Sequence, residues 1–139
     1  MIISYEDFKK LDEYQDFISE NPDIGILKVQ VFTAYGAIPI ADTDILISKD
    51  IGNYRVVFFQ GKTDSSGIIS NIELPAPITD VIPNPEVPPK YTVYSLSAIH
   101  TGYESIKQYS IGMFGGVKII QYVKMTPEIL FNEESNNGN

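Results

Sequence analysis

The 139 residues contain no cysteine and no tryptophan, and only one histidine and one arginine. Without cysteine there are no disulfides, no thiol nucleophile and no thiolate metal site. His100 stands alone in the turn-like stretch His100-Thr101-Gly102-Tyr103. A zinc site needs three or four nitrogen, sulfur or carboxylate ligands, and a hydrolytic triad needs a base oriented on a nucleophile. His100 therefore reads as a turn residue. Arg55 is the single guanidinium, which leaves phosphate clamps and bidentate carboxylate recognition hard to assemble. Gly112-Met113-Phe114-Gly115-Gly116 is glycine-rich but leads into a strand pattern and lacks a Lys-Ser/Thr ending, so it reads as a hairpin turn and not a phosphate loop. Asp42, Asp44 and Asp64 lack the spacing of a metal-binding loop and read as solvated turn residues. No catalytic residue, metal or cofactor is expected.

Positive charge is also scarce. Ten Lys and Arg face eighteen Asp and Glu, a net of −8. That balance argues against nucleic acid and against anionic membrane surfaces. It is unevenly spread: residues 1–23 hold seven acids and two lysines. No apolar run is long enough to span a bilayer, so no membrane insertion is expected. Met1 to Asp7 lacks the basic and apolar regions of a signal peptide, giving the expectation of a cytoplasmic chain.

What the sequence does contain is alternation. Leu27, Val29 and Val31 alternate with Lys28 and Gln30, the period of a half-buried strand. Gly36 and Pro39 mark a connection, and Ile45 and Ile47 resume the period. Further strands are expected near 54–60, 67–73, 91–99, 104–111 and 117–125. Ile51-Gly52-Asn53 and Thr63-Asp64-Ser65-Ser66-Gly67 supply turns, with Asp64 and Ser65 bonding local backbone and Gly67 giving positive φ. Residues 74–90 carry six prolines. They read either as a loop crossing between sheets or as an extended ligand for an aromatic groove, and their place between strands of one domain favours the crossing.

Before the strands, residues 4–20 read as one amphipathic helix. Ser4 is its N-cap, and Tyr5, Phe8, Leu11, Tyr14, Phe17 and Ile18 form an apolar stripe. Asn21-Pro22 stops it. The domain plan is thus an acidic helix over 1–23, a β-sandwich over 24–128 and a polar, disordered tail over 129–139. Ile26, Phe32, Leu46, Ile120 and Tyr122 point away from the inferred core and would form a patch needing a cover. The stripe of Phe8, Leu11, Tyr14 and Ile18 is the expected cover, from the same chain or swapped from a neighbour. These nine residues are the candidate interaction surface.

Seven short motifs occur in a fixed order: Gly25-x-Leu27-x-Val29-x-Val31, Pro39-Ile40-x-Asp42-Thr43-x-Ile45-x-Ile47, Thr63-Asp64-x-x-Gly67, Leu74-Pro75, Tyr91-x-Val93, Gly102-Tyr103 and Val123-x-Met125-x-Pro127. Together, over residues 25–127, they resemble the carboxypeptidase regulatory-like domain, a transthyretin-like sandwich. The wording of Val29 to Thr33 and Gly36 to Ile40 also resembles the sandwich module of clostridial spore cortex-lytic enzymes. The resemblance implies a mainly β, seven-stranded Greek-key sandwich with one added N-terminal helix. It further implies a non-catalytic accessory or binding module, associated with the cell wall or spore cortex of a Gram-positive bacterium. Its partner would be a protein or a cell-wall glycan. The alternative is a self-assembling structural protein, a homo-oligomer built through the helix and sheet edges. The related hydroxyisourate hydrolases use several histidines, and this chain has one.

Overall fold

The computed structural model describes residues 1–79 and 86–128. The expected disordered tail over 129–139, and residues 80–85 of the proline-rich stretch, lie outside the described residues. In chain order the elements are β1 (Ile2–Ser4), α1 (Tyr5–Phe8), α2 (Glu13–Glu20), β2 (Asp23–Thr33), β3 (Asp44–Ile51), β4 (Tyr54–Lys62), β5 (Ile68–Ala76), β6 (Thr92–Ile99), β7 (Ile106–Met113) and β8 (Lys118–Met125). They form two sheets. The larger, sheet A, has the order β1-β4-β3-β6-β7, and the smaller, sheet B, has the order β5-β2-β8. All seven strands read from the alternation are present. Among the described residues there are eight strands and two helices, where seven and one were expected.

Alternation decides which side chains meet between the sheets. Leu27, Val29 and Val31 of β2, Ile45 and Ile47 of β3, and Val123 and Met125 of β8 are buried in one core. Tyr94 is fully buried in that core, where its hydroxyl donates to the Pro75 carbonyl at 2.6 Å. Pro75 lies in β5, an edge strand of sheet B, where a missing N–H costs no ladder bond. The strand therefore continues to Ala76, past the break expected at Leu74.

The extra strand and the second helix both come from the N-terminal segment. Ile2 to Ser4 pair in parallel with Arg55 to Val57 and extend sheet A beyond β4. Ser4 then caps α1, its Oγ accepting from the Asp7 N–H at 3.1 Å. The helix breaks after Phe8 through tight turns, Lys10 N–H to Asp7 O and Leu11 N–H to Phe8 O. The apolar residues explain the break. Phe8 and Phe17 are nine positions apart, which on an unbroken α-helix places them on opposite sides. The interruption turns both rings into one cluster with Val56, packed by Tyr5, Leu11, Tyr14, Ile51, Tyr54 and Phe58.

That cluster corrects the expected docking site. The helix pair does not cover Ile26, Phe32, Leu46, Ile120 and Tyr122. It covers the inner face of sheet A where β3 ends and β4 begins. Ile51 lies four positions beyond the inward-facing Ile47, and Tyr54 and Val56 pair with Ile51 and Lys49. Phe58 joins the two clusters, stacking on Tyr5 with centroids 4.5 Å apart and meeting Tyr94 edge-on at 5.0 Å. Phe17 fills the place expected for Ile18, which is only half-buried.

One connection differs from expectation in kind. The stretch 114–117 is not a hairpin. It carries the chain from β7 in sheet A to β8 in sheet B, where β8 runs parallel to β2. Gly25 makes room for this passage: a Cβ there would stand 2.6 Å from the Phe114 carbonyl oxygen. The turn at 64–67 forms as read, with Asp64 Oδ1 accepting from the N–H groups of Ser66 and Ile68 and Gly67 at φ +75°.

Candidate interaction surface

With the inner faces filled, the outer face of sheet B remains uncovered among the described residues. The β2–β8 register places Ile26 beside Lys118, Lys28 beside Ile120, Gln30 beside Tyr122 and Phe32 beside Lys124. The residues between them, Leu27, Val29, Val31, Val123 and Met125, point inward. Four of the expected surface residues thus share one face: Ile26, Phe32, Ile120 and Tyr122. Tyr122 is 56% exposed and Ile120 is 45% exposed. Phe32 and Tyr122 touch, with ring centroids 6.2 Å apart. Glu73 of β5 sits beside Ile26 at one margin.

The remaining candidates lie elsewhere. Leu46 pairs with Gln60 and Ser97 on the outer face of sheet A, and is half-buried. Phe8, Leu11 and Tyr14 are packed within the aromatic cluster beside α1 and α2, so they support the fold and do not contact the sheet B face.

The polar residues of this β2–β8 face were not among the candidates: Gln30 and three lysines, Lys28, Lys118 and Lys124. Their signal is present in the sequence, because they share strand parity with Ile26, Phe32, Ile120 and Tyr122. None of the three has an ion-pair partner among the described residues. On the outer face of sheet A two cations are matched instead. Lys62 Nζ lies 3.0 Å from Asp44, and Arg55 Nε lies 3.1 Å from Asp50. The sheet B face therefore combines an aromatic pair, aliphatic side chains and unpaired positive charge.

A second concavity, of about 440 Å³, lies at the end of α2 beside Pro77, Pro89 and Tyr91. Its polar floor is already committed. The Thr92 hydroxyl donates to Asn21 Oδ1, and the Asn21 amide donates to the Phe17 carbonyl at 2.9 Å. His100 Nδ1 lies 2.7 Å from the Thr101 carbonyl and the ring packs edge-on against Tyr103, as a turn residue does. Asp44 is engaged with Lys62 and Asp64 with its own turn. Among the described residues no three His, Asp or Glu side chains gather to hold a metal. Burial raises the pKa of Tyr94, and burial with the Tyr14 hydrogen bond raises that of Tyr5. Burial lowers that of Lys49, whose Nζ donates to the Val93 carbonyl at 3.0 Å and lies 5.7 Å from the centre of the Tyr94 ring.

No protein-family model and no curated protein matches the sequence. Solved structures do match the fold. A 3-chlorocatechol 1,2-dioxygenase from Rhodococcus opacus 1CP aligns with TM-score 0.50 and 14% identity over 76% of this chain. The shaft pilin SpaA from Lactobacillus rhamnosus GG aligns with TM-score 0.50 and 15% identity over 77% of this chain. What they share with it is a β-sandwich. The chain spans 60% of the dioxygenase and 52% of the pilin. Transthyretin from Sparus aurata aligns with TM-score 0.45 and 14% identity, over 72% of this chain and 89% of its own. No helix among the described residues is long and apolar enough to cross a membrane.

Proposed function

We propose that this chain is a non-catalytic β-sandwich accessory module of the carboxypeptidase regulatory-like, transthyretin-like kind, acting by contact with a macromolecular partner. The observation that carries the proposal is the outer face of sheet B. There Ile120 and Tyr122 are exposed, with the half-buried Phe32 against Tyr122, among three lysines without ion-pair partners among the described residues. Exposed aromatic and aliphatic side chains in one contiguous patch mark a contact surface. The setting proposed for the module is the cell wall or spore cortex of a Gram-positive bacterium, supported by the resemblance of Val29 to Thr33 and Gly36 to Ile40 to the sandwich module of spore cortex-lytic enzymes.

Co-sedimentation with purified Gram-positive peptidoglycan sacculi tests this reading. The full chain is expected in the pellet, and a folded Ile120→Ser/Tyr122→Ala variant in the supernatant. A parent chain that stays in the supernatant removes the cell-wall setting. A variant that pellets like the parent removes the sheet B face as the contact surface.

Self-assembly is a second reading, favoured by a specific observation: the chain carries an unpaired acidic row of its own on α2.

A further inference from the structure

The lysines of sheet B have one acid on their own sheet, Glu73 beside Ile26, and the longest row of acids without ion pairs among the described residues lies at α2. Asp12, Asp16 and Glu20 recur every four residues along α2, with Glu13 beside them, and all four are exposed. Among the described residues none of them has an ion pair. In α1, by contrast, Glu6 pairs with Lys9 at 3.0 Å and Asp7 with Lys10 at 3.5 Å. Like charges four apart on a helix repel one another. Glu20 also stands in the last turn, where the helix dipole disfavours an anion and no base answers it. Glu13 and Asp16 stand in the first turn, where the dipole favours them, so the cost of the acidic row lies in its four-apart repulsions and at Glu20. The two patches are opposite in sign.

Their spans differ, the lysine row being the longer. Asp12 to Glu20 spans about 12 Å along a helix. Lys118 to Lys124 spans about 20 Å along a strand, with Lys28 on the neighbouring strand between them. Long lysine side chains close the difference, and Ile120 and Tyr122 lie in the middle of the span.

Resting on the reading of the sheet B face as the contact surface, we propose that its occupant is a second copy of this chain, docked through the acidic face of α2. Two sheet B faces meeting each other would oppose lysines to lysines. The contact is therefore between different patches of the two copies.

Light scattering across concentration reads the result, using two charge-reversed proteins. One carries Lys28→Glu, Lys118→Glu and Lys124→Glu; the other carries Asp12→Lys, Asp16→Lys and Glu20→Lys. The parent mass is expected to rise with concentration to at least twice the monomer. Each reversed protein alone is expected to remain monomeric, and the equimolar mixture to regain the parent's association. Net charge does not explain that recovery, since both reversed proteins remain acidic overall. If a triple reversal fails to fold by its melt, the corresponding neutral Gln or Asn variant replaces it, with loss of association expected. A parent that is monomeric at every concentration overturns the proposal. Reversed proteins that associate like the parent, or a mixture that fails to recover, overturn it as well. The sacculus assay separates the two claims. A monomeric parent that still loses sacculus binding on Ile120→Ser/Tyr122→Ala refutes the self-contact and leaves the sheet B face as a binding surface.

Discussion

Phe8→Ala tests whether the N-terminal segment is part of the sandwich or an appendage to it. Phe8 is 0% exposed and packs edge-on against Tyr14, Phe17 and Tyr54, with centroids 6.2, 6.0 and 6.4 Å away. Its neighbours come from α2 and from β4. The cavity left by the ring is therefore bounded by two elements that cannot collapse onto each other without moving a sheet. Replacing a buried Phe by Ala costs about 3–5 kcal/mol. Against a total stability of about 5–15 kcal/mol that is a large share. An unfolding entropy of about 2.1 cal/mol/K per residue over this length converts it to a fall in Tm of roughly 10–17 °C. Ile2→Ala is the control, since Ile2 is 73% exposed, and its Tm should stay within about 2 °C of the parent. The assay is a thermal melt followed by near-ultraviolet circular dichroism, with hydrogen exchange on the same proteins. A Phe8→Ala protein that melts with the parent, while amides of residues 5–20 exchange fast, would refute the reasoning. It would show that the helix pair opens separately from the sandwich.

Asn21→Ala removes the acceptor of the buried Thr92 hydroxyl and should cost about 1–3 kcal/mol in a urea melt, and Thr92→Val, which leaves the buried Asn21 Oδ1 without that donor, should cost a similar amount. Gly67→Ala forces a Cβ to 2.4 Å from the Val31 carbonyl oxygen at φ +75° and should cost at least about 2 kcal/mol. Gly52→Ala, at φ +59° with open space around it, should cost about 1 kcal/mol in the same melt. Alkaline pH should destabilise the fold. The folded pKa values of Tyr94 and Tyr5 lie above the ordinary 10.0, so the unfolded chain releases these protons first and stability falls as pH rises past that value. Lys49 acts with the opposite sign: the folded chain gives up its proton below the ordinary 10.5, and stability gains as pH approaches that value. Two tyrosines outweigh one lysine, so the net is a loss. Urea melts from about pH 9 to about pH 11 should show it, with a shallower slope in Tyr94→Phe.

The strands of the sandwich were legible because one face of each is buried, so the apolar positions repeat every second residue. β2 states this most plainly, with Lys28 and Gln30 between Leu27, Val29 and Val31. β1 was not legible, since three residues carry no measurable period and its pairing with β4 is set by the helices that follow. The docking site of the helix pair was hidden by Val56-Val57-Phe58-Phe59. That run is apolar at every position, and the register shift between Ile47 and Ser48 turns both Phe58 and Phe59 toward the core. The stripe of Tyr5, Phe8, Leu11, Tyr14 and Phe17 repeats every three residues. On an α-helix that spacing drifts, and the drift was itself the sign of a break. On the sheet B face the apolar half was readable as misplaced hydrophobicity. Lysines on strands are the ordinary surface residue, and Lys107 of β7 also lacks an ion pair among the described residues, so only their shared face sets these three apart. The passage at 114–117 shows a further limit, because a short glycine-rich connection does not state which sheet receives the next strand.

The parallel pairing of β2 with β8 has a mechanical consequence. The ladder runs unbroken from Ile26–Lys118 to Thr33–Met125. Tension applied to the chain ahead of β2 and behind β8 pulls the two strands along their length in opposite senses. Every rung is then loaded together, and none can be peeled before the next. The short β1 and the helix pair fold with the sandwich but lie outside this clamp, so the resistance to force along this axis resides in the centre of sheet B.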